Sequence, residues 1–236
     1  HAGDALTTGG RNVAIGHAAL STEDETGYAV AVGYQALRLQ DSGSNTYNVA
    51  VGYNAGEAVT TGVQNVFVGG GAGDAVTTGQ NNIAIGYNAL SSEDGHSYNV
   101  AVGGYALTDL NAGANGYNVA VGYFAGKSVS TGVKNVLIGG EAGDALTTGA
   151  YNTAVGYQAL STEDAHGRNT AIGYLALTTQ DAGADAYNTA VGFEAGKVIS
   201  TGTENVLMGG NTGIAFAMLA AERGYKMKII MPSNMS

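Results

Sequence analysis

One five-residue phrase constrains this chain more than any other feature. It is Asn, an aliphatic, Ala, an aliphatic and Gly, or a close variant, and it recurs twelve times in 236 residues. Its closing glycines fall at 16, 33, 52, 69, 86, 103, 122, 139, 156, 173, 192 and 209. The intervals between them are 17 or 19 residues in the repeating order 17, 19, 17, 17, a superperiod of 70. Residues 1–70, 71–140 and 141–210 are therefore three copies of a four-turn unit. His1-Ala2-Gly3 aligns with Gly71-Ala72-Gly73 and Glu141-Ala142-Gly143, so the chain starts at a unit boundary and the array is expected to continue upstream. Self-similarity at a fixed short period is the signature of a repeat architecture, in which each unit buries its apolar face only against its neighbours.

Within a turn the pattern has period two. In Val49-Ala50-Val51 the larger aliphatics alternate with alanine, which predicts a short strand ended by Gly52. Ala follows the glycine by three residues in eleven of the twelve turns, and a polar-aliphatic piece such as Val59-Thr60-Thr61-Gly62 leads into the next. The expected fold is all-β, a β-solenoid of twelve turns forming a rod roughly 58 Å long at ~4.8 Å per turn. Asn precedes the strand in eleven turns, among them Asn48, Asn118 and Asn188, and is expected to form a side-chain-to-side-chain ladder along the stack. With Gly52, Gly122 and Gly192 these asparagines are the structural residues of the repeat. The strand's middle residue is Ala in nine turns and Phe67, Leu137 or Leu207 in the fourth turn of each unit. If the larger aliphatics point inward, these residues point outward, and both faces of the strand are apolar. An apolar stripe along a rod marks a packing surface, and a parallel homotrimer is the expected closed arrangement.

Composition removes other classes. The 39 glycines come with one proline and no Gly-X-Y period, which excludes collagen. A hydrophobic fraction of 44% with 12% charged residues excludes disorder. No apolar run reaches the ~18 residues of a membrane-spanning helix. Nine Lys and Arg against nineteen Asp and Glu give a net charge of −10, a field that repels phosphate backbones, so no nucleic-acid partner is expected. With no cysteine there is no disulfide framework and no thiolate site. No phosphate loop, dinucleotide fingerprint or Ser-His-Asp order occurs, and the chain is expected to have no catalytic residue.

Phrases such as Asn152-Thr153-Ala154-Val155-Gly156-Tyr157-Gln158-Ala159-Leu160 resemble the repeats of phage tail-fibre and tailspike proteins and, less closely, the heads of YadA-like trimeric adhesins. The likeness covers residues 1–210. It implies a left-handed, trimeric β-roll, non-enzymatic, that projects from a virion or cell surface into the extracellular space and contacts a host or matrix ligand, a glycan among the candidates. Residues 211–236 differ in composition: Asn211 or Thr212 would cap a helix stopped by Gly224, and Lys226 to Met231 would form a strand ended by Pro232. This helix-strand segment resembles part of the cysteine synthase family of pyridoxal-phosphate enzymes. The resemblance makes Asn211, Thr212 and Gly213 the remnant of that family's substrate-carboxylate loop. The segment is read as a cap on the end of the solenoid or a fusion remnant.

Chemistry-bearing side chains gather in two turns of each unit. Glu23-Asp24, Glu93-Asp94 and Glu163-Asp164 occupy the first, and Asp41 to Asn45, Asn111 to Asn115 and Asp181 to Asp185 the second. Asp24 and Asp41 both lie eight residues after their glycine, so stacking places them one above the other. Like charges that close repel unless a cation intervenes, and oxygen donors around a glycine turn suit Ca²⁺. Asp24, Asp41, Asn45, Asp94, Asn111, Asp164, Asp181 and Asp185 are the candidate ligands, set against the ordinary preference of Asp and Asn for turns. Asp94 with His96 and Asp164 with His166 also fit a transition metal, though the first unit has Thr26 at the histidine's place. Tyr34, Tyr53, Tyr87, Tyr123, Tyr157 and Tyr174 follow their glycines and are expected to stack on one another, with a sugar-binding strip as the alternative. The rival architecture is a monomeric carbohydrate-binding β-prism, with one four-stranded sheet from each 70-residue unit.

Overall fold

The computed structural model describes residues 1–25 and 27–209. The segment 211–236, with its expected helix and strand, and Thr26 lie outside the described residues. Twelve three-residue strands run in chain order: β1 (Val13–Ile15), β2 (Val30–Val32), β3 (Val49–Val51), β4 (Val66–Val68), β5 (Ile83–Ile85), β6 (Val100–Val102), β7 (Val119–Val121), β8 (Val136–Ile138), β9 (Thr153–Val155), β10 (Thr170–Ile172), β11 (Thr189–Val191) and β12 (Val206–Met208). They form one parallel sheet in the order β1 to β12, each strand pairing with the next turn's equivalent, Ala31 on Ala50 and Ala50 on Phe67. One continuous sheet is a β-solenoid, and it excludes the β-prism, which needs three separate four-stranded sheets.

The strand faces the other way from the sequence expectation. Ala31, Ala50, Ala84, Ala101, Ala120, Ala154, Ala171 and Ala190 are fully buried, as are Phe67 and Leu137, with only Ala14 and Leu207 in the two end strands less covered, while the flanking Val, Ile and Thr side chains point outward. The interior is a single narrow layer between the strand and the returning turn, and it admits alanine where a larger side chain already comes from across. Leu20, Leu37, Leu90, Leu107, Leu160 and Leu177, four residues after the glycine, supply that bulk. In the other turns the same position is glycine, and the bulk comes from the strand instead. A Cβ on Gly73 would lie 2.3 Å from the Phe67 ring and one on Gly56 would lie 2.7 Å from it. Leu137 takes the space at Gly126 and Gly143 in the same manner, and Leu207 that at Gly196. Volume is thus traded between strand and corner, keeping the layer close-packed.

The asparagine ladder runs mainly from side chain to backbone. Asn65 N–H donates to Asn48 Oδ1 at 2.8 Å, Asn135 N–H to Asn118 Oδ1 at 3.0 Å and Asn205 N–H to Asn188 Oδ1 at 2.9 Å. The amide nitrogens turn to carbonyls fourteen residues on, Asn48 Nδ2 to Gly62 at 2.7 Å, Asn118 Nδ2 to Gly132 at 2.9 Å and Asn188 Nδ2 to Gly202 at 2.7 Å. Each asparagine thereby satisfies a donor of the next turn and an acceptor of the loop, which a side-chain-only ladder would leave open. Where the following turn has 19 residues the two-residue insertion displaces that acceptor, and Asn169 Nδ2 is left without a protein partner.

The strand-ending glycines pack backbone on backbone. Gly52 has φ +147° and its missing Cβ would sit 2.3 Å from the Gly69 carbonyl oxygen; for Gly122 the values are +140° and 2.4 Å to Gly139. No L-residue relieves both the left-handed φ and the contact. The substitution Gly122→Ala is therefore expected to lower the urea midpoint by the equivalent of more than about 3 kcal/mol. Phe67→Ala should cost about 3–5 kcal/mol through the cavity it leaves. Gly73→Leu alone should destabilise by overpacking, and the pair Phe67→Ala with Gly73→Leu should recover part of both losses. Additive losses in urea unfolding of the pair would refute the volume exchange.

Candidate functional site

Two features of the surface carry chemistry: the outer face of the sheet and one edge of the stack. Outward side chains alternate along each turn, so that Tyr47, Val49, Val51 and Tyr53 share one face while Asn48 and Ala50 point in. Repeated through the stack, this makes an aliphatic stripe bordered by two aromatic rails. Its exposure is large for apolar groups, with Ile15 60%, Tyr53 61% and Phe193 63% exposed.

The rail after the glycine is built of stacked rings. His17, Tyr34 and Tyr53 follow at centroid distances of 5.4 and 5.2 Å, and Tyr157, Tyr174 and Phe193 at 5.7 and 5.2 Å. Tyr87 and Tyr123 instead meet Tyr105 edge-on. The rail before the asparagine was not singled out from the sequence. Tyr28 stacks on Tyr47 and Tyr98 on Tyr117, both at 5.0 Å, while Arg11, Lys134 and Arg168 lie over Tyr28, Tyr151 and Tyr187. Its legible signal is the period-two alternation carried back two residues from the strand. A ring whose face lies on the next ring offers solvent mainly its edge, which suits packing better than the flat platform a sugar requires.

The acidic edge gathers some of the candidate ligands and disperses others. Donor atoms of Glu23, Asp24 and Asp41 lie within 4.8 Å of one another, as do those of Glu93, Asp94 and His96, and those of Glu163, Asp164, His166 and Asp181. Asn45 instead lines a shallow surface pocket with Arg11, Glu25 and Tyr28. Asp185 is held by Arg168 Nε at 2.8 Å and by Gly167 N–H at 2.9 Å, and the guanidinium keeps its carboxyl below the usual range. Asn111, exposed, donates its N–H to the Ser130 carbonyl.

The glutamates of this edge are not among the candidate ligands read from the sequence, and Glu23, Glu93 and Glu163 are fully buried. They occupy the seventh position after the glycine, which is Val59, Val76, Val129 or Leu146 in third and fourth turns and Gln40, Leu110 or Gln180 in second turns, and the alignment of these polar residues with an apolar column was the available signal. In the first unit Gln40 Nε2 donates to Glu23 Oε2 at 3.1 Å and to Thr46 Oγ1 at 3.3 Å, and Asn48 Nδ2 donates to Gln40 Oε1 at 2.8 Å. Glu93 Oε1 accepts from His96 N–H at 3.0 Å and lies 2.7 Å from its Nδ1.

Asp74 and Asp144, in the fourth turns, are half-buried with Oδ1 unpaired by protein, and burial raises both carboxyls. The nearby Glu57 and Glu141 add to this repulsively. A raised folded-state pKa means that the native chain holds these protons to higher pH than the unfolded chain does. Their contribution to stability is therefore full below the unfolded value near ~4 and is lost as pH climbs through the raised one. The net charge of −10 acts in the same direction. Acidification from neutral pH toward pH ~5 is expected to raise the melting temperature, and the double variant Asp74→Asn/Asp144→Asn should reduce that slope while raising the melting temperature at pH 7. An unchanged slope in a pH series of thermal melts would count against it.

No protein-family model matches the chain, and no solved structure matches it. Cysteine synthase B of Escherichia coli (strain K12) is 70% identical over 27 residues, which is 11% of this chain and 9% of that enzyme. Cysteine synthase B of Salmonella typhimurium gives the same values. The chain thus spans about a tenth of the length of the curated relatives it matches.

Proposed function

We propose that the chain is a non-enzymatic structural and adhesive module, the shaft or head of a parallel homotrimer that projects from a virion or cell surface and contacts a host or matrix. One observation carries this reading: the outward apolar column at the third strand position, Ile15, Val51, Ile85, Val121, Ile138 and their equivalents, one in every turn from β1 to β12 and flanked by two tyrosine-rich rails. Soluble monomers seldom leave so extended an apolar surface in water, and three copies packing these faces on a common axis would cover it. The sequence expectation puts alanine on this face. With Val51, Ile85 and Ile138 on the surface the case for covering it is stronger, since each buries more area than alanine.

The cysteine-synthase-like stretch lies outside the described residues, and its reading as a cap or a fusion remnant, without catalysis, is part of the proposal. Twenty-seven residues, 9% of the enzyme, are too few to enclose a dry cofactor site. A pyridoxal-phosphate titration that produced a Schiff-base absorption band would overturn the non-enzymatic reading. For assembly, light scattering should give three times the 23.6 kDa chain mass. The surface pair Val51→Lys/Val121→Lys should yield monomer with an unchanged far-ultraviolet spectrum. A wild-type monomer would sink the trimer, and the aromatic rails would then face solvent as the candidate ligand surface.

A further inference from the structure

We propose that Glu163, Asp164, His166 and Asp181 form a binding site for a divalent first-row transition ion that ties two successive turns of the third unit together. Donor atoms of all four lie within 4.8 Å of one another. A tetrahedral ion with bonds of about 2.0–2.2 Å holds its ligands about 3.3–3.6 Å apart, so the donors close by up to about 1.5 Å as the shell forms. Three donors come from the turn closed by Gly156 and the fourth, Asp181, from the turn above.

A second observation comes from the buried carboxylate. Glu163 has no exposed side-chain surface, and its Oε2 has no hydrogen-bond partner. Its Oε1 accepts from His166 N–H at 3.1 Å and lies 3.3 Å from His166 Nδ1. The first unit shows what the same position does without a histidine: Glu23 Oε2 accepts from Gln40 Nε2. In the third unit the corresponding Gln180 is present, but its Nε2 also lacks a partner. Glu163 is thus drawn to the histidine side, and with Ala186 where the first unit has Thr46, one carboxylate oxygen and one amide nitrogen are left unpaired here, as are buried side-chain atoms of Asn54, Asp74, Asp144 and Asn169 elsewhere among the described residues. A cation accounts for the oxygen.

The three units form a graded series within one molecule. The first has two aspartates and no histidine; the second has His96 but Asn111 and Leu110 in place of Asp181 and Gln180; the third alone combines histidine, acids from two turns and the unpaired oxygen. One imidazole among three carboxylates favours Zn²⁺, Co²⁺ or Ni²⁺ over Ca²⁺, whose sites are built of oxygen alone.

The test is calorimetric titration of the full chain, stripped with chelator, using ZnCl2 and separately CaCl2 as probes. One saturable Zn²⁺ site is expected, weakened at least about 10-fold by His166→Gln and by Asp181→Asn, with His96→Gln leaving it unchanged. Ca²⁺ should not displace Zn²⁺ at equal concentration. Histidine-selective NMR of the wild type gives a readout that needs no variant: Zn²⁺ should shift the His166 ring resonances and spare those of His17. Absence of saturable Zn²⁺ binding, binding untouched by His166→Gln, equal competition by Ca²⁺ or an unmoved His166 resonance would each overturn the proposal.

Discussion

Everything in this rod hangs from the backbone contact at the strand-ending glycines. From Gly16 to Gly173, a Cβ on each would fall 2.1–2.5 Å from the backbone of the next such glycine, at φ between +124° and +147°. That contact holds successive turns at hydrogen-bonding distance and forbids slippage, so every other column, Asn, Ala, Leu and Tyr, is in register by necessity. It also offsets a local cost. Twenty-eight described non-glycine residues have positive φ, among them Tyr47, Leu37 and Asn54, at three recurrent corners of the turn. Such conformations are unfavourable singly and persist where surroundings over-determine them. A lone turn has no such surroundings, which makes the turn a unit that exists only in the stack.

Period, turn count and the solenoid itself were legible because they depend on recurrence, which one sequence displays fully. The facing of the strand was misread because Val-Ala-Val is apolar on both sides, and larger aliphatics were taken to seek the interior. In a one-layer core that rule inverts, since the space opposite the strand already belongs to Leu37 or Leu90. A sequence signal did exist. Asn48 and Ala50 lie two apart and share a face, so assigning the asparagine to an internal ladder assigned the alanine with it. The cysteine-synthase-like segment was legible only as a resemblance, because it has no period to read.

Polar groups obey the same geometry more expensively. Position seven after the glycine is an internal column in every turn, and the chain fills it with Val59, Val76 or Leu146 in the third and fourth turns of a unit. In the first and second turns Glu23 and Gln40 take it, with Thr46 and Asn48 completing the network. A fully satisfied buried network specifies register better than interchangeable aliphatics do, whereas a partly satisfied one is costly. The first unit is of the former kind. The third, with Ala186 in place of Thr46 and with Glu163 Oε2 and Gln180 Nε2 unpaired, is of the latter.

Exposure of β-branched residues on the outer face has two competing explanations, and the sequence of the face separates them. Val, Ile and Thr all favour short strands by restricting χ1, so strand formation alone would accept threonine at any outward position, and water would prefer it. At the first strand position the chain does accept it, in Thr153, Thr170 and Thr189. At the third it never does: Ile15, Val32, Val51, Val68, Ile85, Val102, Val121, Ile138, Val155, Ile172, Val191 and Met208 are all apolar. Strand propensity therefore accounts for β-branching but not for the exclusion of threonine from one column and its admission to the neighbouring one. On the proposed trimer, covering of the third-position column accounts for it, with the axis nearer to Val51 and Tyr53 than to Val49 and Tyr47.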